Sequence, residues 1–104
     1  MKEAKLISLL GLAQKAGKLV TGEFAVEKAV KAGKAKMVLI AADASANTKD
    51  RFRSMTAFYQ VAHYEVASKE QLGSATGKMH RASVAVLDVG FCDAIKRMIE
   101  KTDQ

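Results

Sequence analysis

Residues 22–45 read GEFAVEKAVKAGKAKMVLIAADAS. Phe24, Val26, Ala29 and Val30 recur at helical spacing across Glu23 to Ala32, and Gly33 is placed to stop that helix. Met37 to Ala42 is then an unbroken apolar run of strand length, the pattern of a strand covered on both faces. A helix that hands over through the loop Gly33-Lys34-Ala35-Lys36 to a doubly buried strand points to a layered α/β fold.

The same alternation continues in both directions. Leu6, Leu9, Leu10 and Ala13 line one face of a helix that Gly17 can end, and Leu19 to Thr21 is a short extended piece. Ser45 to Gln60 reads as a helix opening among capping residues, and Val61 to Val66 as a strand. Ser68 and Gln71 have the spacing of a capping box, so a short helix is expected from there to Gly77. Ala82 to Leu87 is another strand, and Asp93 to Lys101 an amphipathic helix with Ile95, Met98 and Ile99 inward. The chain contains no proline and no long linker. The expectation is one domain over residues 1–104, a three-layer α/β/α sandwich around a central mixed sheet of about four strands.

Charge is unevenly distributed. Residues 1–53 carry 11 Lys or Arg against 5 Asp or Glu, whereas residues 54–104 carry 6 of each. The whole surplus of +6 therefore lies in the first half. A basic half beside a neutral one suits a phosphate-binding face, although lysines also serve solubility. The single cysteine excludes an internal disulfide and fits a reducing cytoplasm. The opening Met-Lys-Glu-Ala-Lys and the interrupted Leu6–Ala13 stretch do not make a secretory core, and no apolar run reaches the roughly 20 residues of a membrane span.

Catalytic constellations are weak. His63 lies in a strand pattern, Cys92 near the last helix, and nothing in the spacing joins them. Two histidines without ligand spacing do not suggest a metal site, and no cofactor is expected. Gly73-Ser-Ala-Thr-Gly-Lys78 imitates a phosphate loop but is one residue short between its glycines. Its lysine is followed by Met79, and Gly73 falls inside a predicted helix. Gly22 is a better candidate. It precedes a helix carrying Lys28 and Lys31, whose free first amides attract phosphate, with Lys15, Lys18, Lys34 and Lys36 just outside it in sequence. The segment Gly77-Lys78-Met79-His80-Arg81 mixes cations, a flexible apolar chain and an imidazole, a combination that suits RNA. Strand alternation predicts that one of Met79 and His80 faces outward.

Taken together, GLAQKAGKLVTGEFAVEKAVKAGKAKMVLIAADAS and LGSATGKMHRASVAVLDVG resemble the superfamily of the large-subunit ribosomal proteins L-seven-A-e and L-thirty-e, in particular its small bacterial YlxQ-type branch. The resemblance runs from about Leu6 to about Ile99. It implies the same α/β/α sandwich and binding to kink-turns, sharply bent internal RNA loops. It implies that the helix start after Gly22 enters the bent groove and that Lys28 contacts RNA near the kink. Asp43 would help shape the site, and Lys78, Met79, His80 and Arg81 would cover extruded bases. The archaeal pattern has Asn-Glu where this chain has Phe24 and Ala25, so those base-edge contacts are not carried over. Positioning by phosphate and shape does not depend on them.

The expected RNA-binding residues are Lys18, Gly22, Glu23, Lys28, Lys31, Asp43, Lys78, Met79, His80 and Arg81. The expected partner is a kink-turn type of RNA, ribosomal or ribosome-associated, met in the cytoplasm by a monomer, with ribosomal proteins as further neighbours. No membrane partner and no enzymatic activity are expected. The rival reading is a protein-interaction module on the same scaffold. An exposed Phe24 favours that rival, because an apolar ring at a helix start wants a partner surface; a buried Phe24 favours RNA.

Overall fold

The structure, a computed structural model, describes residues 2–101, with the side chains of residues 4–100. Met1, the first residue of the opening mixed-charge stretch, and Asp103, one of the acids of the neutral half, lie outside the described residues. The element order is α1 (Lys2–Lys15), β1 (Leu19–Thr21), α2 (Glu23–Lys31), β2 (Met37–Ile40), α3 (Ala46–Tyr59), β3 (Ala62–Glu65), α4 (Lys69–Ala75), β4 (Ser83–Val86) and α5 (Val89–Lys101).

The four strands form one mixed sheet in the order β1-β4-β2-β3. β4 runs antiparallel to both of its neighbours, and β2 and β3 are parallel. α2 packs with α3, and α1 with α4 and α5, giving a helical layer on each face of the sheet, the expected sandwich. Met37–Ile40 and Ser83–Val86 are buried along their whole length because β2 and β4 occupy the centre. Phe52 of α3, Val26 of α2, Leu10 of α1, Leu72 of α4 and Ile95 of α5 are fully buried. β3 is an edge strand, and its sequence Ala-His-Tyr-Glu is correspondingly mixed.

β3 and β4 are each one residue shorter at both ends than the sequence reading, and two larger differences have a visible cause. β2 stops at Ile40, yet the amides of Ala41 and Ala42 still donate to Ala82 O and Ala67 O, both at 2.9 Å, which explains why the apolar run extends further than the ladder. α5 begins at Val89, four residues before Asp93. Asp88 is the reason, since its carboxylate accepts from the Phe91 amide at 2.9 Å and caps the helix from outside the amphipathic pattern.

Strand register decides which ends meet. Thr21 lies opposite Val84, Ile40 opposite Ser83, and Ile40 beside Glu65. The ends of β1, β2 and β3 and the start of β4 therefore share one end of the sheet. α2, α3 and α4 all begin there, at Gly22, Ser45 and Ser68.

Candidate nucleic-acid interface

Gly22 is the N-cap of α2 with φ 92° and ψ 150°, backbone that side chains other than glycine rarely adopt. No side chain caps this helix start, so its first amides face outward unclaimed by a cap. Space around the Gly22 α-carbon is open, and the Gly22 amide donates to Ser83 O at 3.2 Å. That bond ties the helix start to the entry of β4, and hence to the loop between α4 and β4.

The loop is tied back in turn. The Lys78 amide donates to Gly73 O at 2.8 Å, and the Arg81 amide to Lys69 O at 3.0 Å. Arg81 Nε reaches Thr21 Oγ1 at 3.3 Å and its Nη1 donates to His80 O at 2.9 Å. The guanidinium thus clamps the loop to the last residue of β1. Gly73 makes this path possible. A β-carbon there would stand 2.4 Å from Met79 O and 2.9 Å from His80 N. Lys78, Met79 and His80 are all exposed. The expected alternation of Met79 and His80 does not hold, because β4 starts only at Ser83 and the two residues belong to the loop.

Asp43 follows β2 and accepts from the Lys69 amide at 2.8 Å, joining the β2–α3 loop to the start of α4. The predicted capping box is present, with Ser68 Oγ accepting from the Gln71 amide at 3.0 Å and Gln71 Oε1 from the Ser68 amide at 2.9 Å. Glu23 is held by Arg51 of α3 at 3.0 Å, and Glu27 by Lys31 at 3.1 Å and by Arg51. The Lys31 ammonium, followed by the Arg51 guanidinium, lowers the Glu27 carboxyl below its ordinary pKa.

The structure brings Gly22, Glu23, Asp43 and Lys78 to Arg81 to the end of the sheet where three helices start. Lys28 and Lys31 sit about 9 and 13 Å further along α2 at 1.5 Å per residue. Lys28 is exposed and unpaired among the described residues. Lys18 is not part of this grouping. It precedes β1, about 13 Å from Gly22 along the strand direction, at the other end of the sheet.

Phe24 is 85% exposed and Met79 83%. On the reasoning that an apolar ring at a helix start wants a partner surface, the exposed ring favours a protein partner over RNA. That reasoning omits one class of partner, since a nucleobase is itself a flat surface on which a ring or an apolar chain can lie. The signals that sequence reading missed are Gly73 and Thr21, which contribute only through contacts across the fold. The catalytic candidates gain nothing. Cys92 is buried, donates to Val86 O at 3.9 Å, and burial pushes its thiol up to about 11. Among the described residues no three of His, Cys, Asp and Glu gather as metal ligands, and no helix is long and apolar enough to cross a membrane.

Residues 4–96 match the family described as the ribosomal protein L7Ae/L30e/S12e/Gadd45 family. An RNA-binding protein YlxQ of Bacillus subtilis is 39% identical over 92 residues, 88% of this chain and 92% of that one. Its namesake in Enterococcus faecium is 36% identical over 92% of both chains. A large ribosomal subunit protein eL30 of Tetrahymena thermophila is 35% identical over 86% of this chain and 88% of its own. Among solved structures, a Bacillus halodurans protein of unknown function superimposes with a TM-score of 0.89 at 38% identity, over 93% of this chain and 98% of that one. A Giardia lamblia 15.5 kD RNA-binding protein shares the fold with a TM-score of 0.78 at 20% identity, over 98% and 88% of the two chains.

Proposed function

The chain belongs to the ribosomal protein L7Ae/L30e/S12e/Gadd45 family, and on that premise we propose that it is a cytoplasmic RNA-binding protein whose ligand is a kink-turn or similarly bent internal loop of ribosomal or ribosome-associated RNA. The observation that carries this reading is the pairing of two surfaces. The uncapped start of α2 and the loop Lys78–Arg81 are fastened side by side by the Gly22–Ser83 and Arg81–Thr21 bonds. Gly22 lets RNA backbone approach the α2 amides, and Lys28 and Lys78 meet phosphates. Phe24, Met79 and His80 offer platforms for unstacked bases. Asp43 and Arg81 hold the loops in place, and Glu23 is occupied by Arg51. Such a protein acts as a monomer and has no catalytic step to perform.

A titration against a kink-turn RNA and its straight duplex control, at two salt concentrations, tests the reading. Preference for the bent RNA, with affinity falling steeply as salt rises, is the expected result. Equal affinity for both would reduce the interaction to charge attraction. The exposure of Phe24 keeps one rival specific, a protein-docking surface at the same helix start. Phe24→Ala separates them. A stacked ring loses about 1–3 kcal/mol of RNA affinity on truncation, whereas a ring reserved for a protein leaves the RNA titration unchanged.

A further inference from the structure

Besides the helix-start residues Lys28 and Lys78, two groups stand out among the basic residues. Lys31, Lys49, Arg51 and Arg53 are held by Glu23, Glu27, Asp50 and Glu65. Lys15, Lys18, Lys34 and Lys36 are exposed and make no ion pair among the described residues. The second group gathers in one place, away from the helix starts. β4 leaves the sheet between the entrances of β1 and β2. The Leu87 amide donates to Lys18 O and the Lys36 amide to Val86 O, both at 2.8 Å. Two strand spacings separate the α-carbons of Lys18 and Lys36 by about 10 Å. α1 and α2 end at the same place, with the Lys18 amide on Ala13 O and the Lys34 amide on Ala29 O, both at 2.9 Å. Lys15 and Lys34 complement those helix ends. Lys18 and Lys36 stand at strand entrances and have no such structural reason. Two acids, Asp88 and Asp93, lie near Lys36 and offset the four lysines only in part.

We propose that Lys15, Lys18, Lys34 and Lys36 form a second RNA-binding surface, which holds the backbone of an RNA duplex while the helix-start end holds a bent loop. One protein would then bridge two RNA segments. This rests on the function proposed above and adds to it a second ligand at the opposite end of the sheet. Residues 15–18 and 34–36 contain no aromatic ring, so this surface offers phosphate contacts and no base stacking. Separation by the length of the strands lets both ends be occupied together.

The test uses the full chain, its Lys18→Gln/Lys34→Gln/Lys36→Gln variant and the corresponding Lys→Arg variant. Protein is bound to an immobilised short-stemmed kink-turn RNA, and a fluorescent straight duplex is titrated on at low salt. The parent and the Arg variant should capture the duplex, and the Gln variant should lose about ten-fold or more of that capture. Kink-turn binding should stay within about two-fold across all three proteins. For duplex bound to free protein, the log–log salt slope should drop by about three in the Gln variant, one for each lysine removed. No capture by the parent, or equal capture by the Gln variant, overturns the proposal. So does displacement of the duplex by polyglutamate at equal charge concentration, which would make an acidic protein the better occupant. If the kink-turn itself is not bound, the function reading fails, and the free-protein duplex titration still decides the lysines on its own.

Discussion

Gly73 occupies the middle of a seven-residue helix, where glycine is normally about 1 kcal/mol worse than alanine. Here the sign reverses. An alanine β-carbon would lie 2.4 Å from the Met79 carbonyl oxygen, a backbone atom that cannot swing aside. Gly73→Ala should therefore lower the thermal midpoint and displace the loop bearing Met79 and His80. RNA affinity should fall about ten-fold although residue 73 is buried and touches no ligand. An alanine variant that is more stable and binds as before would show that the loop path is not fixed by this contact. Lys28 gives the opposite test. It is exposed, mid-helix and unpaired among the described residues, so Lys28→Ala should leave the fold intact. It should weaken RNA binding and reduce the log–log salt slope by about one. Unchanged slope and affinity would remove Lys28 from the interface. Lys28 was legible from its place after Gly22, whereas Gly73 was not, because its neighbour across the gap belongs to a loop that only the folded chain brings back.

At the scale of elements, α4 positions the loop Lys78–Arg81, although none of its own residues is among the proposed RNA contacts. Its start is fastened twice, by the Ser68–Gln71 box and by Asp43 on the Lys69 amide. Its first residue also accepts from the Arg81 amide, so the position of the loop depends on how well α4 is capped. Ser68→Ala should cost about 1 kcal/mol in chemical denaturation, and loop amides at residues 78–81 should exchange hydrogen faster. Unaltered exchange in that loop would uncouple it from the cap. The box could be read from two residues three apart. The cap of α5 escaped because Asp88 precedes Val89 and Gly90, which carry no helical stripe, while the inward residues Ile95, Met98 and Ile99 marked only the later turns. Lys18 shows the same boundary between local and tertiary information. It is four residues from Gly22 in sequence, and the three-residue strand between them puts the two at opposite ends of the sheet.

For the molecule as a whole, the charge surplus of the first half was legible, but its direction was not. Four of those cations are consumed by carboxylates, and four others lie away from the helix starts. The sandwich itself was readable because β2 and β4 lie at the centre and announce themselves as unbroken apolar runs. Stability should depend on pH in two stages. Burial, the largest influence, lowers the His63 pKa, and His63 Nε2 is buried without a hydrogen-bond partner among the described residues. The unfolded chain takes up this proton near the ordinary 6.5, before the folded one does. Stability is thus complete above that value and declines as pH falls below it, through the lowered folded value. Ion pairing lowers Glu65, chiefly through Arg53, and Glu27, chiefly through Lys31, so their contribution is lost at lower pH still, below the ordinary 4.5. Thermal midpoints from about pH 2 to 8 should show both stages, and His63→Phe should remove only the upper one. A parent protein with a flat profile from pH 5 to 7 would contradict this account of His63.

The sheet order carries a consequence for synthesis. β1 has a single neighbour, β4, and β4 is the last strand to be made. While the chain grows, β2 and β3 can pair, yet β1 has no strand to pair with and the Gly22 amide no acceptor until residues 83–86 arrive. A nascent chain therefore displays most of its lysines early and acquires a shaped surface late, because the closing contacts span some 60 residues. Before that moment it can only adhere to nucleic acid through charge. Discrimination begins when the final strand slides in between β1 and β2, so a product truncated before Ser83 would be sticky and undiscerning.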